Sequence, residues 1–288
     1  MKIRKKLRKR YYKTFINVFS RQGLGKYRFV RGINEFIGSY LKIIRDVQGH
    51  KMLLDQLDTL GLAKNGIYEP FETEVIKKTV NKGDVVLDIG ANIGYYTLII
   101  ARIVGENGKV YAFEPEPTNF SLLKKNIEIN GYKNVELIQK AVSNKTEKIK
   151  LYLSQDNYGD HRIYDSAEAR PSLEVESVRL DDFFTNYNGA INFIKMDIQG
   201  AEWAAVQGMS NLLRKQKDVK IITEFWPIGL KRFGIEPIEY LKLLSNLGFV
   251  LYELNEQQKE IMPIDIHKLL EIYTPEKENY TNLLARRF

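Results

Sequence analysis

From about residue 71 onward, short β-branched apolar runs alternate with stretches whose apolar positions repeat at helical spacing. A helix over 71–80 (FETEVIKKTV) precedes strands expected at 85–90 (VVLDIG), 109–115 (KVYAFEP), 135–142 (VELIQKAV), 192–198 (NFIKMDI), 219–225 (VKIITEF) and 249–254 (FVLYEL), with a last one near 282–287. Helices fall between them at 95–104, 117–130, 201–216 and 237–248. Strand and helix in turn imply parallel pairing through right-handed crossovers, hence an open α/β sheet covered on both faces. Ligands of such sheets bind beyond the carboxyl ends of the strands. Residues 149–184 read as an insertion at that edge, two strand-like runs around a polar loop that can complete a substrate pocket.

The pattern before residue 67 differs. Residues 1–66 read as a basic, mostly helical extension of a domain spanning 67–288, with one helix expected over 30–47 and a less regular element over 49–62. Ile3, Leu7, Tyr11, Phe15 and Val18 form one helical stripe among Lys and Arg. The chain's net charge of +8 is concentrated here, because residues 1–45 hold fourteen Lys or Arg against the single acid Glu35. Such a helix can pack on the domain, lie on an anionic membrane, or follow a phosphate backbone. The stretch TFINVF is too short for the apolar core of a signal peptide, and no long uncharged apolar run follows, so the expected location is the cytoplasm or the inner face of its membrane. With no cysteine, disulfides, a thiolate nucleophile and Cys-bound zinc are excluded.

Candidate chemistry lies at the strand ends. Gly90 and Gly94 frame a turn into a helix whose first N–H groups favour a carboxylate or phosphate. A dinucleotide fingerprint needs glycine where this chain has Asn92, and no P-loop is present. Asp88, two residues before the turn, repels phosphate and attracts a cation. Glu114, followed by Pro115 at the end of the second strand, can accept both ribose hydroxyls. A nucleoside bearing an amino acid and a positive centre fits all three features, and S-adenosylmethionine is that molecule. Asn92 and Ala141 complete the cofactor set. Asp197 ends the fourth strand where the transferable methyl is expected, and Glu202 reads equally as a site residue or as a helix N-terminal acid. In the inserted loop His161 beside Asp160 is the candidate base, with Arg162 orienting an acceptor. Gln199, Glu224 and Trp226 are further acceptor-site candidates, and no metal ligands are assigned.

The blocks DIGANIGYYTLIIA, VYAFEPEPTNFSLLKKNIEING, FIKMDIQGAE and ITEFW resemble the FkbM-type family of S-adenosylmethionine-dependent methyltransferases over roughly residues 68–254. The resemblance implies a class I, Rossmann-like methyltransferase fold: a seven-stranded mixed sheet in three α/β/α layers, its last strand antiparallel. It also implies O-methylation of hydroxyls on sugars, polyketides and related small molecules. Gln199 departs from the family pattern, which usually has an acid there. Two alternatives stay open, an RNA 2′-O-methyltransferase and a non-catalytic S-adenosylmethionine-binding module. The chain lacks the Asn/Asp-Pro-Pro-aromatic turn that base-amine methyltransferases use.

Overall fold

The protein is described by a computed structural model covering residues 44–166 and 168–287. The basic helix expected over residues 1–20, with its membrane and nucleic-acid readings, lies outside these residues. The hairpin β1 (Ile44–Val47) and β2 (His50–Leu53) leads through the single turn α1 (Leu62–Asn65) into α2 (Pro70–Thr79). There follow β3 (Val85–Ile89), α3 (Tyr95–Val104), β4 (Lys109–Phe113), α4 (Pro117–Asn130), β5 (Val135–Ile138) and β6 (Ala141–Val142). The insertion supplies β7 (Lys148–Tyr152) and β8 (Ser172–Val178), which pair antiparallel around a polar loop and lead into α5 (Leu180–Phe183). The chain then forms β9 (Phe193–Met196), α6 (Glu202–Gly208), α7 (Ser210–Lys215), β10 (Lys220–Phe225), α8 (Pro227–Phe233) and α9 (Pro237–Asn246). It ends with β11 (Val250–Asn255), β12 (Glu260–Pro263), α10 (Ile266–Ile272) and β13 (Thr281–Arg286).

The central sheet has the order β12-β11-β13-β10-β9-β3-β4-β5. Strands β5, β4, β3, β9 and β10 run parallel, and β13 inserts antiparallel between β10 and β11. Alternation along each strand divides the core between the two faces. Val86, Phe193, Ile222 and Leu284 pack on one side with α2, α3 and α4, whereas Leu87, Ile194, Ile221 and Leu283 pack on the other with α6, α7 and α9. Helix α4 shows how local chemistry sets an element: Pro117 pre-forms its first turn, Glu116 accepts from the Asn119 N–H at 2.6 Å, and Gly131 closes it in the left-handed region.

Two expectations are corrected. The sheet has eight strands, because β12 pairs antiparallel with β11 at the edge. Its residues are largely exposed, so no apolar alternation marks it. The end of the helix expected over 30–47 is strand, and residues 44–53 form a hairpin. Gln48 and Gly49 both take positive φ, 51° and 75°, which gives the twist that a two-residue hairpin turn requires. Buried Met52 and Leu53 face the domain, and the Asn126 side chain of α4 bonds both the N–H and the C=O of Leu53.

Candidate active site

The two-residue period of the strands decides which polar side chains share a face at the carboxyl edge. On β3, Asp88 follows the parity of Val86 and meets α3, where Thr97 donates to it. On β9, Lys195 follows Phe193, and on β10 Glu224 follows Ile222. Helix α2 packs over the same face and contributes fully buried Glu72, whose carboxylate lies 3.0 Å from Lys195 Nζ. Lys195 is also 4.0 Å from Asp197 and sits over the Tyr96 ring. Glu69, at the start of α2, accepts from the Tyr96 hydroxyl at 3.0 Å and from Asn282 of β13 at 3.3 Å.

Two adjoining recesses open at this edge. The first is lined by Ile89, Phe113, Glu114, Ala141, Val142 and His161 among others, apolar groups beside polar ones. The second is lined by Thr59, Tyr68, Asp88, Tyr96, Lys195 and Gln199 among others. Gly90, Asn92, Gly159, Asp197 and Gln199 border both. At Gly90 a β-carbon would lie 2.0 Å from the carbonyl oxygen of Asp197, so glycine is what allows the first turn and the β9 loop to close together. Across the cleft, the inserted loop is tied down at Tyr158: its N–H donates to Thr59 and its carbonyl accepts from Asn119.

Electrostatics here are dominated by buried acids. Burial raises Glu114 to about 8 against the opposing pull of the Glu116 and Asn92 N–H groups, which bond one to each carboxylate oxygen at 2.9 Å. Each oxygen therefore keeps acceptor capacity. Burial likewise raises Asp88 to about 6, while Thr97 and Lys195 pull it down. Burial and Glu72 raise Glu69 to about 8, and burial with Asp197 and Glu202 pushes Glu224 well above the carboxylate range. Burial opposes the charge of Lys195, but Glu72, Asp197 and Glu69 outweigh it and hold its pKa above the ordinary lysine value.

The structure brings together Asp88, Gly90, Asn92, Glu114, Pro115, Ala141, Asp197 and Gln199 at the recesses. Gln199 donates to Asp197 at 2.8 Å and to Glu224 at 3.4 Å, which ties those three into one chain. Other candidates fall elsewhere. Gly94 packs against Leu123 behind the turn and is not part of either wall. Asp160 does not pair with His161; it accepts from Arg162 at 2.7 and 2.9 Å and from Arg170 at 2.7 Å. Arg162 is buried against Asp160 and Glu168 with its guanidinium 4.8 Å from the Trp226 ring, Trp226 is half-buried, and neither residue lines these two recesses. His161 lines the first recess, its Nδ1 accepting from the Ser154 N–H at 3.1 Å, and burial lowers its pKa. That is the Glu114 side of the cleft. Glu202 turns inward and braces the loop after β9, accepting from the N–H groups of Ile198 and Gly200. Lys195, Glu69, Glu72 and Tyr68 were not foreseen. A signal existed: Lys195 interrupts a buried strand, and Glu72 lies on the apolar face of α2 beside Val75 and Ile76.

An open sheet of this order, with a glycine turn after β3 and an acid after β4 at its carboxyl edge, has the Rossmann-like architecture of the class I methyltransferase fold. Residues 88–251, more than half of the chain, match the methyltransferase FkbM domain, and the chain belongs to that family. Among curated relatives, a Methanocaldococcus jannaschii uncharacterized protein is 34% identical over 92 residues, 32% of this chain and 31% of its own length. The hexuronic acid methyltransferase AglP of Haloferax volcanii is 28% identical over 181 residues, covering 60% of this chain and 68% of that protein. The match spans less than two thirds of the length of the first of these relatives. A solved S-adenosylmethionine-dependent O-methyltransferase from Thermotoga maritima aligns with a TM-score of 0.43 at 15% identity, over 85% of this chain and 77% of that one. Among the described residues no helix is long and apolar enough to cross a membrane.

Proposed function

We propose that this methyltransferase acts on a hydroxyl group, most naturally that of a sugar or glycan. The observation that carries the reading is Asp197 and Gln199 at the border of the two recesses, with Gln199 joining Asp197 to Glu224 and with Glu114 in the wall of the first recess. The name of the Haloferax relative, a hexuronic acid methyltransferase, supports a sugar acceptor. The residues fit the donor. Glu114 has acceptor capacity for ribose hydroxyls, and Ile89, Phe113, Ala141 and Val142 offer an apolar wall for the base. The Gly90–Asn92 turn at the start of α3 takes the amino-acid end, with Asp88 beneath it.

S-adenosylmethionine, when bound, supplies an electrophilic methyl group on a sulfonium. The protein's task is to hold the acceptor oxygen in line and to remove its proton. Asp197 is the group for this: it is an acceptor, it borders both recesses, and Gln199 bonds it and links it to Glu224. His161 is assigned to the nucleoside side instead. Titration calorimetry with S-adenosylhomocysteine tests the donor half, with NAD as control. Glu114→Ala is expected to weaken binding roughly ten-fold or more by removing a charge-assisted hydrogen-bond partner. Unchanged affinity would remove Glu114 from the ribose.

A further inference from the structure

Two hydrogen-bonding groups at the first recess lack a partner within the fold, and one is an acceptor while the other is a donor. Asn119 of α4 is 2% exposed, and its Nδ2 donates to the Tyr158 carbonyl at 2.9 Å. A carbonyl needs a donor, so that bond fixes the orientation of the amide and leaves Oδ1 as a buried acceptor with no hydrogen bond. His161 comes from the inserted loop. Its Nδ1 accepts from the Ser154 N–H at 3.1 Å, which puts the ring proton of the neutral form on Nε2, and burial favours that neutral form. The Nε2–H bonds no group among the described residues. Both side chains line the recess. The chain on either side of His161 is anchored: Arg162 exchanges two backbone bonds with Tyr152 of β7, at 2.7 and 3.0 Å, and Asp160 is held by Arg162 and Arg170. Lys140, also at the recess, is paired with Glu176 at 2.9 Å.

Resting on the reading of this recess as the nucleoside site, we infer that α4 and the inserted loop together read the donor's base: Asn119 Oδ1 accepts from the exocyclic amine of adenine, and His161 Nε2–H donates to the adjacent ring nitrogen N1. That edge of adenine presents a donor beside an acceptor, the complement of this pair. Ile89, Phe113, Val142 and Leu151 give the ring faces apolar contact. Glu114 and Asn119 stand either side of the first turn of α4, so neighbouring stretches of one chain serve the ribose and the base. Hypoxanthine carries a carbonyl in place of the amine and a hydrogen on N1. It would set acceptor against acceptor at Asn119 and donor against donor at His161, and a buried polar group left unpaired is costly. The same loop borders the second recess through Asn157 and Gly159, so a base held at His161 steadies a wall of that recess as well.

The test begins with calorimetry of the full chain and S-adenosylhomocysteine; absence of binding counts against the donor site itself and not against the base contacts. The same titration with S-inosylhomocysteine, which differs only in its base, is expected to give an affinity roughly ten-fold weaker or more. Asn119→Ala and His161→Phe should each bind S-adenosylhomocysteine about ten-fold more weakly and lose most of the preference for adenine, with thermal melts confirming that both fold. A variant that only loosened the loop would weaken both compounds alike and keep the preference. Hydrogen exchange of residues 154–163 should slow more with S-adenosylhomocysteine than with S-inosylhomocysteine at matched saturation. Equal affinity of the wild-type protein for the two compounds, an undiminished preference in either variant, or exchange in this segment unaltered by S-adenosylhomocysteine overturns the inference.

Discussion

Gln199 holds its neighbours in place from an unfavourable backbone position. Its φ of 57° lies in the left-handed region, its carbonyl accepts from the Tyr164 hydroxyl at 2.8 Å, and its amide donates to Asp197 and Glu224. An acid there could not donate and would be a third carboxylate at the same spot. Gln199→Glu is therefore expected to lower stability by roughly 1–3 kcal/mol at pH 8. The new acid, crowded by its neighbours, has a folded-state pKa above its unfolded one, so the loss grows as pH rises and fades as pH falls. Thermal unfolding at pH 5.5 and 8 reads this directly; equal midpoints for variant and wild type at pH 8 would show that the amide bridge contributes nothing. At this scale the sequence is informative where a residue's place on a strand is fixed. Asp88, Glu114 and Asp197 stand at strand ends and fall at the recesses. Asp160 and Arg162 do not, because a loop residue's partner is chosen by long-range contacts: Arg170, Glu168 and Trp226 settle theirs.

Among the elements, the hairpin is the one that periodicity misreads. Apolar residues along IIRDVQGHKML suit a helix or a strand, and Gln48-Gly49 is a weaker turn signal than Asn-Gly or Asp-Gly. Docking on α4 settles it. Asn126 is fully buried and joins Leu53 N, Leu53 O and the carbonyl of Ile93, so one side chain ties the hairpin to the loop after β3. Asn126→Ala should cost about 2–4 kcal/mol through the orphaned partners. Denaturant unfolding measures that cost, and a loss within about 0.5 kcal/mol of zero would mean the hairpin is held by Met52 and Leu53 alone. The parallel strands, by contrast, are legible because they are buried on both faces and read as continuous apolar runs.

Across the whole molecule, buried acids set the response to pH. Glu69 and Glu114 are raised to about 8 and Glu202 to about 7, each chiefly by burial. Their folded pKa values exceed their unfolded ones, so between roughly pH 6.5 and 8 the folded chain binds more protons than the unfolded chain, and stability falls as pH rises. His50, lowered to about 4 by burial, acts in the opposite sense, but only below its unfolded value of 6.5. The donor-free protein should therefore melt several degrees lower at pH 8.5 than at pH 6.5, at roughly 2–4 °C per kcal/mol for a chain of this size. A midpoint that rises across this interval would contradict the burial of these carboxylates. The eighth strand matters at this scale too. Without β12, the long strand β11 would end the sheet with a free row of backbone donors and acceptors. In its place the outermost strand is four residues long, begins with Glu260 and ends with Pro263, which has no N–H to offer. A sheet that stops in this way is a poor template for a second chain, so this border resists edge-to-edge aggregation.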